Sequence, residues 1–238
     1  NSLKRTQTRE DDGTTYNTPT PPMKILNLYA CLGGNRYKWD EVADIKVTAI
    51  ELDADLARLY QERFPQDRVI VTDAHQYLLD HYSEFDFIWS SPPCPTHSKA
   101  RFARRETTTT EYPDMRLYQE ILFLQHWFKG KFVVENVKPY YTPLIPPKIR
   151  GRHHYWTNFP IPNDLENPEL SFMEGKDEVN RYCAYHEIDL STYKGGQRKD
   201  KIARNLVDYK AGKRILESAF GIIKQSEHNQ LSIFNTPE

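Results

Sequence analysis

Five short apolar runs constrain the fold of this 238-residue chain more than any other feature. They occupy residues 23–29, 47–51, 69–73, 85–89 and 131–137. Each run contains β-branched or aromatic residues and is followed by polar residues or a turn, which is typical of buried strands. Apolar residues at helical spacing separate the runs, for example Leu56, Leu59 and Phe64. The pattern predicts an α/β fold whose sheet has one functional edge.

The fourth run ends in a double-proline turn that carries a cysteine, because residues 90–95 read Ser-Ser-Pro-Pro-Cys-Pro. Pro92 and Pro93 cannot continue a strand ladder, so the strand must end in a rigid loop. Loops at the carboxyl edge of the sheet carry the chemistry in open α/β folds. Cys94 is therefore a candidate nucleophile, since thiolates attack strongly once their pKa is lowered. From this hexapeptide alone, an unreactive turn cysteine is an equal alternative.

The order of the motifs along the chain resembles that of the DNA cytosine-5 methyltransferases. A glycine-bearing turn follows the first run, acids end the second and third, Pro-Pro-Cys follows the fourth, and Glu-Asn-Val ends the fifth. The resemblance covers roughly residues 23–220 and is that of a compact, divergent member of phage or bacterial type. It implies a Rossmann-like, S-adenosylmethionine-dependent methyltransferase sheet with a small, irregular target-recognition subdomain.

The resemblance implies three catalytic residues. The Cys94 thiolate would add to C6 of a flipped cytosine, so that C5 can accept the methyl group of S-adenosyl-L-methionine. Glu135 would hydrogen-bond the N3 and amino edge of that base; a strand-end acid paired with a surface base is the alternative. Arg152 would assist the base and the nucleophile. Arg150 shares its Arg-x-Arg pattern, so either arginine fits this role, and both could instead bind phosphate.

The resemblance also implies how the cofactor S-adenosyl-L-methionine is bound. Gly33 and Gly34 would let the backbone approach its methionine part, Glu51 would bind both ribose hydroxyls, and Asp73 would accept from the adenine amino group. The full set of expected cofactor residues is Tyr29, Leu32, Gly33, Gly34, Glu51, Leu52, Asp73, Ala74, Pro92 and Asn205. Cys31 departs from the family pattern, because it occupies the position of the first glycine.

Local basic clusters, rather than the net charge of −1, indicate where nucleic acid would bind. Phosphate contacts need only a few side chains, and basic residues cluster within 99–105, 148–154 and 194–204. The residues expected to bind double-stranded DNA are Lys99, Arg101, Arg104, Arg105 and Arg150. Residues 95–112 are polar and lack a steady period, so we predict a mobile loop that closes over the nucleic acid.

The sequence divides into five predicted regions. Residues 1–22 are polar and nearly free of apolar residues, which predicts a disordered tail or linker. Residues 23–159 form the catalytic and cofactor-binding domain, and the irregular 160–202 region is assigned to target recognition. Residues 203–225 carry the last motif and a helix that returns to the catalytic domain. Residues 226–238 form a carboxy-terminal tail.

Several classes of protein are disfavoured. Cys31, Cys94 and Cys183 are far apart and lack metal-ligand spacing, and the Cys183/His186 pair has no second pair, so no metal is expected. No apolar run reaches membrane-spanning length and no signal peptide is visible, which favours a cytoplasmic protein of a bacterial or phage-infected cell. We expect a monomer, and a restriction–modification system is one setting in which it would act.

Two alternatives stay open. An RNA cytosine-5 methyltransferase is disfavoured because most such enzymes carry a second cysteine after strand five, where this chain has Glu-Asn-Val. A catalytically inactive nucleic-acid-binding relative is disfavoured because a binding module needs neither Cys94 nor Glu135.

Overall fold

The computed structural model describes residues 21–103, 106, 109–165 and 177–222, apart from the side chains of residues 100 and 101. One sheet of seven strands runs through it: β1 Met23–Leu28, β2 Ile45–Glu51, β3 Arg68–Val71, β4 Phe87–Ser90, β5 Lys131–Val137, β6 Lys148–Arg150 and β7 His153–Thr157. Their order is β3-β2-β1-β4-β5-β7-β6. The first five strands are parallel, and β7 is antiparallel to both neighbours. The predicted α/β, Rossmann-like fold is confirmed.

Seven helices are present in the described part of the chain: α1 Ala54–Arg63, α2 Ala74–His81, α3 Lys99–Ala103, α4 Arg116–Trp127, α5 Glu178–His186, α6 Lys199–Arg204 and α7 Tyr209–Ala219. Single 3-10 turns occur at Trp39–Glu41 and Tyr82–Glu84. Helix α4 begins at Arg116, shortly after Pro113. Tyr112 stays outside the helix, because the residue before a proline is driven away from helical backbone.

Aspartates cap the helices that follow the strands. The Asp53 carboxylate accepts from the amides of Asp55 and Leu56 at the start of α1. Asp73 caps α2 by accepting from the amide of Gln76 at 2.9 Å. Such caps satisfy amides that have no partner within the helix. The acids that end the strands therefore shape the loops at this edge of the sheet.

The core lies on both faces of the sheet, as the alternation along β1 shows. Leu26 and Leu28 pack into one cluster with residues of α2 and α4. Ile25 packs into a second cluster, on the opposite face of the sheet, with Trp39 and with Ile215 of α7. Side chains on a strand point alternately to opposite faces, so each face of β1 is covered by helices.

The segment predicted as a mobile loop contains helix α3. Just before α3, Ser98 forms a β-bridge with Pro139. The Asp114 amide, just beyond the end of the segment, donates to the Thr96 hydroxyl near its start at 2.9 Å. Phe102 of α3 stacks on the ring of Tyr140, with 4.7 Å between the centroids. Residues 104, 105, 107 and 108 of this segment lie outside the described residues.

The region predicted to be irregular, 160–202, contains helix α5 and most of α6, and its residues 166–176 are outside the description. Helix α6 crosses the boundary predicted at residue 202. Ile202 of α6 packs with Leu56 and Leu59 of α1 in a third buried cluster. This part of the chain thus contacts the catalytic domain. Of the predicted tails, residues 1–20 of the first (1–22) and all of the second (226–238) are outside the description.

Candidate active site

A cavity of about 540 Å³ opens at the carboxyl edge of the sheet, where the loops after β1, β2, β3, β4 and β5 meet. Its volume is typical of small-molecule sites. The predicted residues that line it are Tyr29, Gly34, Glu51, Leu52, Asp73, Ala74, Pro92, Cys94, Glu135 and Asn205. Five other predicted site residues are described by the structure but do not line the cavity: Leu32, Gly33, Lys99, Arg150 and Arg152. Arg104, Arg105 and the side chain of Arg101 are not described.

The turn that carries Cys94 is held by the neighbouring strand. Asn136 of β5 is buried, and its side-chain amide donates to the Pro92 carbonyl at 2.9 Å. The Cys94 carbonyl accepts from the amides of His97 and Ser98 at 3.0 and 3.1 Å. The asparagine of Glu-Asn-Val therefore fixes the Pro-Pro-Cys turn, which gives a physical reason for finding both motifs in one chain.

The thiol of Cys94 and the carboxyl of Glu135 line the same cavity, and both have a raised pKa. Burial raises the pKa of Cys94, the negative charge of Glu135 raises it further, and Lys201 opposes both effects. Burial likewise raises the pKa of Glu135, against the opposing influence of His153 and Ser91. The nearest atoms of His153 and Glu135 are 3.8 Å apart. A carboxyl of this kind holds its proton to a higher pH than an exposed one.

The first turn, after β1, has an unusual backbone. Tyr29, Cys31 and Gly33 have φ angles of 56°, 48° and 67°, all in the left-handed region. Only glycine enters this region without steric cost, so Cys31 is strained where the family pattern has glycine. The Glu51 carboxylate holds the turn by accepting from the amides of Cys31 at 2.8 Å and Asp53 at 2.9 Å.

The two glycines of this turn serve packing more directly than cofactor contact. A Cβ on Gly34 would lie 2.5 Å from the Val207 carbonyl, so glycine lets the last motif close onto the first turn. A Cβ on Gly33 would lie 2.5 Å from the Phe64 ring. The sequence predicted that both glycines approach the cofactor. Only Gly34 lines the cavity, because Gly33 is turned towards α1.

A buried polar network lies beside the cavity and was not predicted. Glu120 of α4 is fully buried. Its carboxylate accepts from the hydroxyls of Tyr29 and Ser90, each at 2.6 Å, and pairs with His75 at 3.0 Å. The hydrogen bond to Glu120 raises the pKa of His75. The available signal was an acid at position 120, one residue before Ile121 on the apolar stripe of α4.

Neither arginine of the Arg-x-Arg pattern lines the cavity. Arg152 is exposed in the turn between β6 and β7. The Arg150 guanidinium donates to the carbonyls of Pro162, Ile149 and Ile161. The pattern falls on an edge hairpin, whose pairing to β5 could not be read from residue types. Among the lining residues that the sequence did not indicate are Arg116, His153, Gln197, Lys201 and Arg204, of which the last three belong to the basic cluster at 194–204.

The cavity suits S-adenosyl-L-methionine. Its ribose hydroxyls and adenine amino group are donors, and the carboxylates of Glu51 and Asp73 line the cavity at the ends of two adjacent strands. The positive sulfonium is also favoured by nearby negative charge. No group of His, Cys, Asp and Glu within the described ranges could hold a metal ion. Among the helices described above, none is long and apolar enough to cross a membrane.

Sheet order and cavity together define a Rossmann-like α/β fold with a small-molecule site at the carboxyl edge of its sheet. The family model of the C-5 cytosine-specific DNA methylases matches residues 23–143, about half of the chain. The chain belongs to this family, and S-adenosyl-L-methionine is its cofactor. A search of the curated proteins gave no match.

Several solved structures resemble parts of this chain at low sequence identity. A DNMT2 mutant from Spodoptera frugiperda is 24% identical over 49% of this chain and 36% of its own, with a TM-score of 0.36. The methyltransferase EhMeth from Entamoeba histolytica is 10% identical over 87% of this chain and 100% of its own, with a TM-score of 0.49. A SAM-dependent methyltransferase from Agrobacterium tumefaciens is 15% identical over 52% and 41%, with a TM-score of 0.38. This chain thus spans about a third of the length of the insect protein.

Proposed function

We propose that this protein methylates C5 of cytosine in double-stranded DNA through a covalent bond between Cys94 and C6 of the base. One observation carries the proposal: Cys94 and Glu135 line the same cavity as the carboxylates of Glu51 and Asp73. A nucleophile and an acid therefore face the space where the cofactor would be held. Covalent addition suits this chemistry because it turns an unreactive ring carbon into a nucleophile.

Glu135 is the group proposed to activate the base. Its raised pKa favours a carboxyl that carries a proton and can transfer it to N3 as the Cys94 thiolate adds to C6. A protonated Glu135 also no longer repels the thiolate. The two neighbouring groups thus support opposite roles, one as acid and one as nucleophile.

The remaining steps restore both the ring and the enzyme. When bound, S-adenosyl-L-methionine would supply an electrophilic methyl group for attack by the electron pair on C5, and S-adenosyl-L-homocysteine would be the leaving group. Loss of the C5 proton to solvent then re-forms the C5–C6 double bond, and the C6–sulfur bond breaks to return the Cys94 thiolate. Glu135 takes back the N3 proton, so that the enzyme ends the cycle as it began.

The cysteine content favours the single-cysteine, DNA-type mechanism. Glu135, Asn136 and Val137 leave no cysteine at the end of β5. Cys31 also lines the cavity, but it lies in the first turn, where burial raises its pKa to about 12. A thiol of that pKa is almost entirely protonated at neutral pH. A cytosine in duplex DNA would have to leave the helix stack to reach Cys94.

We also propose that residues 160–202 contribute target recognition. Two side chains support this, because Gln197, just before α6, and Lys201 of α6 reach the cavity from that part of the chain. Basic and amide side chains at the mouth of such a site suit phosphate and base contacts.

The test is methylation of defined nucleic acids. Purified protein is incubated with S-adenosyl-L-methionine and, in parallel, unmethylated duplex DNA, single-stranded DNA or tRNA, and 5-methylcytosine is measured by mass spectrometry. We expect product on duplex DNA, lost in Cys94→Ser and kept in Cys183→Ser, the matched control outside the cavity. Product on tRNA alone would overturn the choice of DNA.

A second measurement tests the covalent step. Duplex DNA that carries 5-fluorocytosine has no C5 proton to lose, so the adduct cannot resolve. We expect a denaturation-resistant complex with the unmodified protein and with Cys183→Ser, and none with Cys94→Ser. Methylation without any trapped complex would reject the covalent mechanism while leaving the substrate unchanged.

A further inference from the structure

The arginines of the Arg-x-Arg pattern lie outside the cavity, which raises the question of which cation faces Cys94. The cavity-lining residues that carry positive charge are Arg116, Lys201 and Arg204, and His153 can be protonated. They come from three places: the start of α4, helix α6, and strand β7. Their surroundings decide which charge is available to a thiolate.

Most of these cations already face a carboxylate. The nearest atoms of Arg116 and Asp73 are 3.6 Å apart. Arg204 donates to Glu178 at 2.9 Å, and His153 lies 3.8 Å from Glu135. An ion pair of this kind cancels much of the field that a cation exerts further away.

Lys201 differs from them. Its side chain is exposed, and within the described ranges no hydrogen bond or ion pair joins its ammonium group to another residue. Its position is nonetheless defined, because the adjacent Ile202 and Ala203 are buried and hold α6 against the body of the protein. A fixed backbone thus carries an uncompensated positive charge to the rim of the cavity.

The charged groups that act on Cys94 come from two elements. Glu135 of β5 raises the pKa of the thiol, in addition to the larger effect of burial. Lys201 of α6 lowers it. Lys199, two residues earlier on the same helix, acts instead on Cys183. Two lysines on one helix therefore act on two different cysteines.

We propose that Lys201 is the cation that stabilises the Cys94 thiolate, in the place where the sequence predicted an arginine. In this role Lys201 acts on the base through Cys94, so it is a positioning residue. Its importance for methylation depends on the proposed function, whereas its effect on the thiolate does not. An opposite charge close to a thiol favours the ionised form, and this is the form that attacks.

The experiment measures thiolate formation without DNA or turnover. The intact protein is alkylated with iodoacetamide over a range of pH, and the Cys94 and Cys183 peptides are quantified separately by mass spectrometry. The variants are Lys201→Met, Lys201→Arg and the control Lys199→Met, which removes the same charge from the same helix.

We expect Lys201→Met to shift the alkylation profile of Cys94 to higher pH, with about threefold slower reaction below the thiol pKa and an unchanged plateau above it. Lys201→Arg should restore the profile. Lys199→Met should leave Cys94 unchanged and slow only Cys183. A variant that merely disturbs the fold would change the plateau and both cysteines.

Other outcomes would overturn the proposal. If the alkylation profile of Cys94 is unchanged in Lys201→Met, Lys201 does not stabilise the thiolate. If that variant then binds S-adenosyl-L-methionine more weakly, Lys201 contributes to cofactor binding instead. Should that variant fail to fold, high salt replaces it, because salt screens an exposed charge and should slow Cys94 alkylation in the unmodified protein. A shifted profile without methylation of any nucleic acid would reject the proposed function alone.

Discussion

Two buried carboxyl groups at this site, Glu120 and Glu135, have very different surroundings. Glu120 lies beside the half of the cavity lined by Tyr29, Glu51 and Asp73, the expected cofactor half. Its carboxylate accepts from the hydroxyls of Tyr29 and Ser90 and also pairs with His75. Glu135 lies in the half of the cavity lined by Cys94, the expected base half. It is 6% exposed, Ser91 and His153 lower its pKa against the effect of burial, and His153 Nε2 is 3.8 Å from its Oε1. A carboxylate with a full set of partners stabilises the fold, whereas one with few partners can serve a substrate.

The same contrast extends to the loops around each carboxyl. The cofactor half is built from turns whose amides and hydroxyls are bonded to Glu51 and Glu120. The base half has Cys94 and Lys201, whose charged forms have no partner of opposite charge within hydrogen-bonding distance in the described part of the chain. The first half is expected to be rigid before the cofactor binds, and the second to be completed by the nucleic acid.

The largest expected effect is that of Glu135→Gln on turnover. The amide keeps the size of the carboxyl but cannot transfer a proton to N3, so the methylation rate should fall about 100-fold or more. The free energy of unfolding should change by less than about 1 kcal/mol, because few contacts are lost. Single-turnover methylation and denaturant unfolding measure the two effects. A variant that methylates within threefold of the unmodified protein would remove Glu135 from catalysis.

Glu120→Ala should have the opposite profile. It leaves Tyr29, Ser90 and His75 without their shared acceptor in a buried site, which should lower the free energy of unfolding by about 2–4 kcal/mol. Glu120→Gln keeps part of the hydrogen bonding and should cost less. Denaturant unfolding checks the order, and cofactor binding should weaken because Tyr29 lines the cavity. If both variants unfold like the parent, the contrast between the two carboxyls is wrong.

Gly34→Ala tests how tightly the cofactor half is packed. The added Cβ would meet the Val207 carbonyl at 2.5 Å, and relief of that clash should cost about 1–3 kcal/mol of stability. Affinity for S-adenosyl-L-methionine, measured by calorimetry, should fall as the last motif moves away. Gly196→Ala is the matched control, since its Cβ would meet nothing within 4 Å. Equal behaviour of the two alanine variants would contradict the close approach of Gly34 and Val207.

The smallest effect concerns the pH dependence of the Glu120 network. The folded pKa of His75 is raised by Glu120, so the pair stabilises the protein fully below the unfolded histidine pKa of about 6.5. That contribution is lost as the pH rises through the higher folded pKa. Because His75 is partly exposed, it should amount to at most about 1 kcal/mol. In His75→Gln, the free energy of unfolding should depend less on pH between pH 6 and 8 than in the unmodified protein. If the two curves of unfolding free energy against pH run parallel, the pair of His75 and Glu120 makes no pH-dependent contribution to stability.

Much of the fold could be predicted from residue order. The five apolar runs became β1 to β5, because alternating buried side chains are a local property of each strand. The hairpin of β6 and β7 was not predicted, since its residues 148–157 mix basic, aromatic and polar types. It is stabilised by pairing to β5 across a distant part of the chain, which leaves no periodic signal.

The candidate site divides in the same way. Sequence by itself determined which candidate groups meet: Cys94, Glu135, Glu51 and Asp73 stand at or just after strand ends, and parallel strands bring their carboxyl ends to one edge. Only the tertiary structure decided which cations belong there, because long side chains are placed by the packing of their helix or hairpin. That packing leaves Arg152 exposed to solvent and places Lys201, from a helix distant in sequence, at the cavity. Charge in a sequence says nothing of the direction in which it will point, and direction decides its effect on a buried thiol.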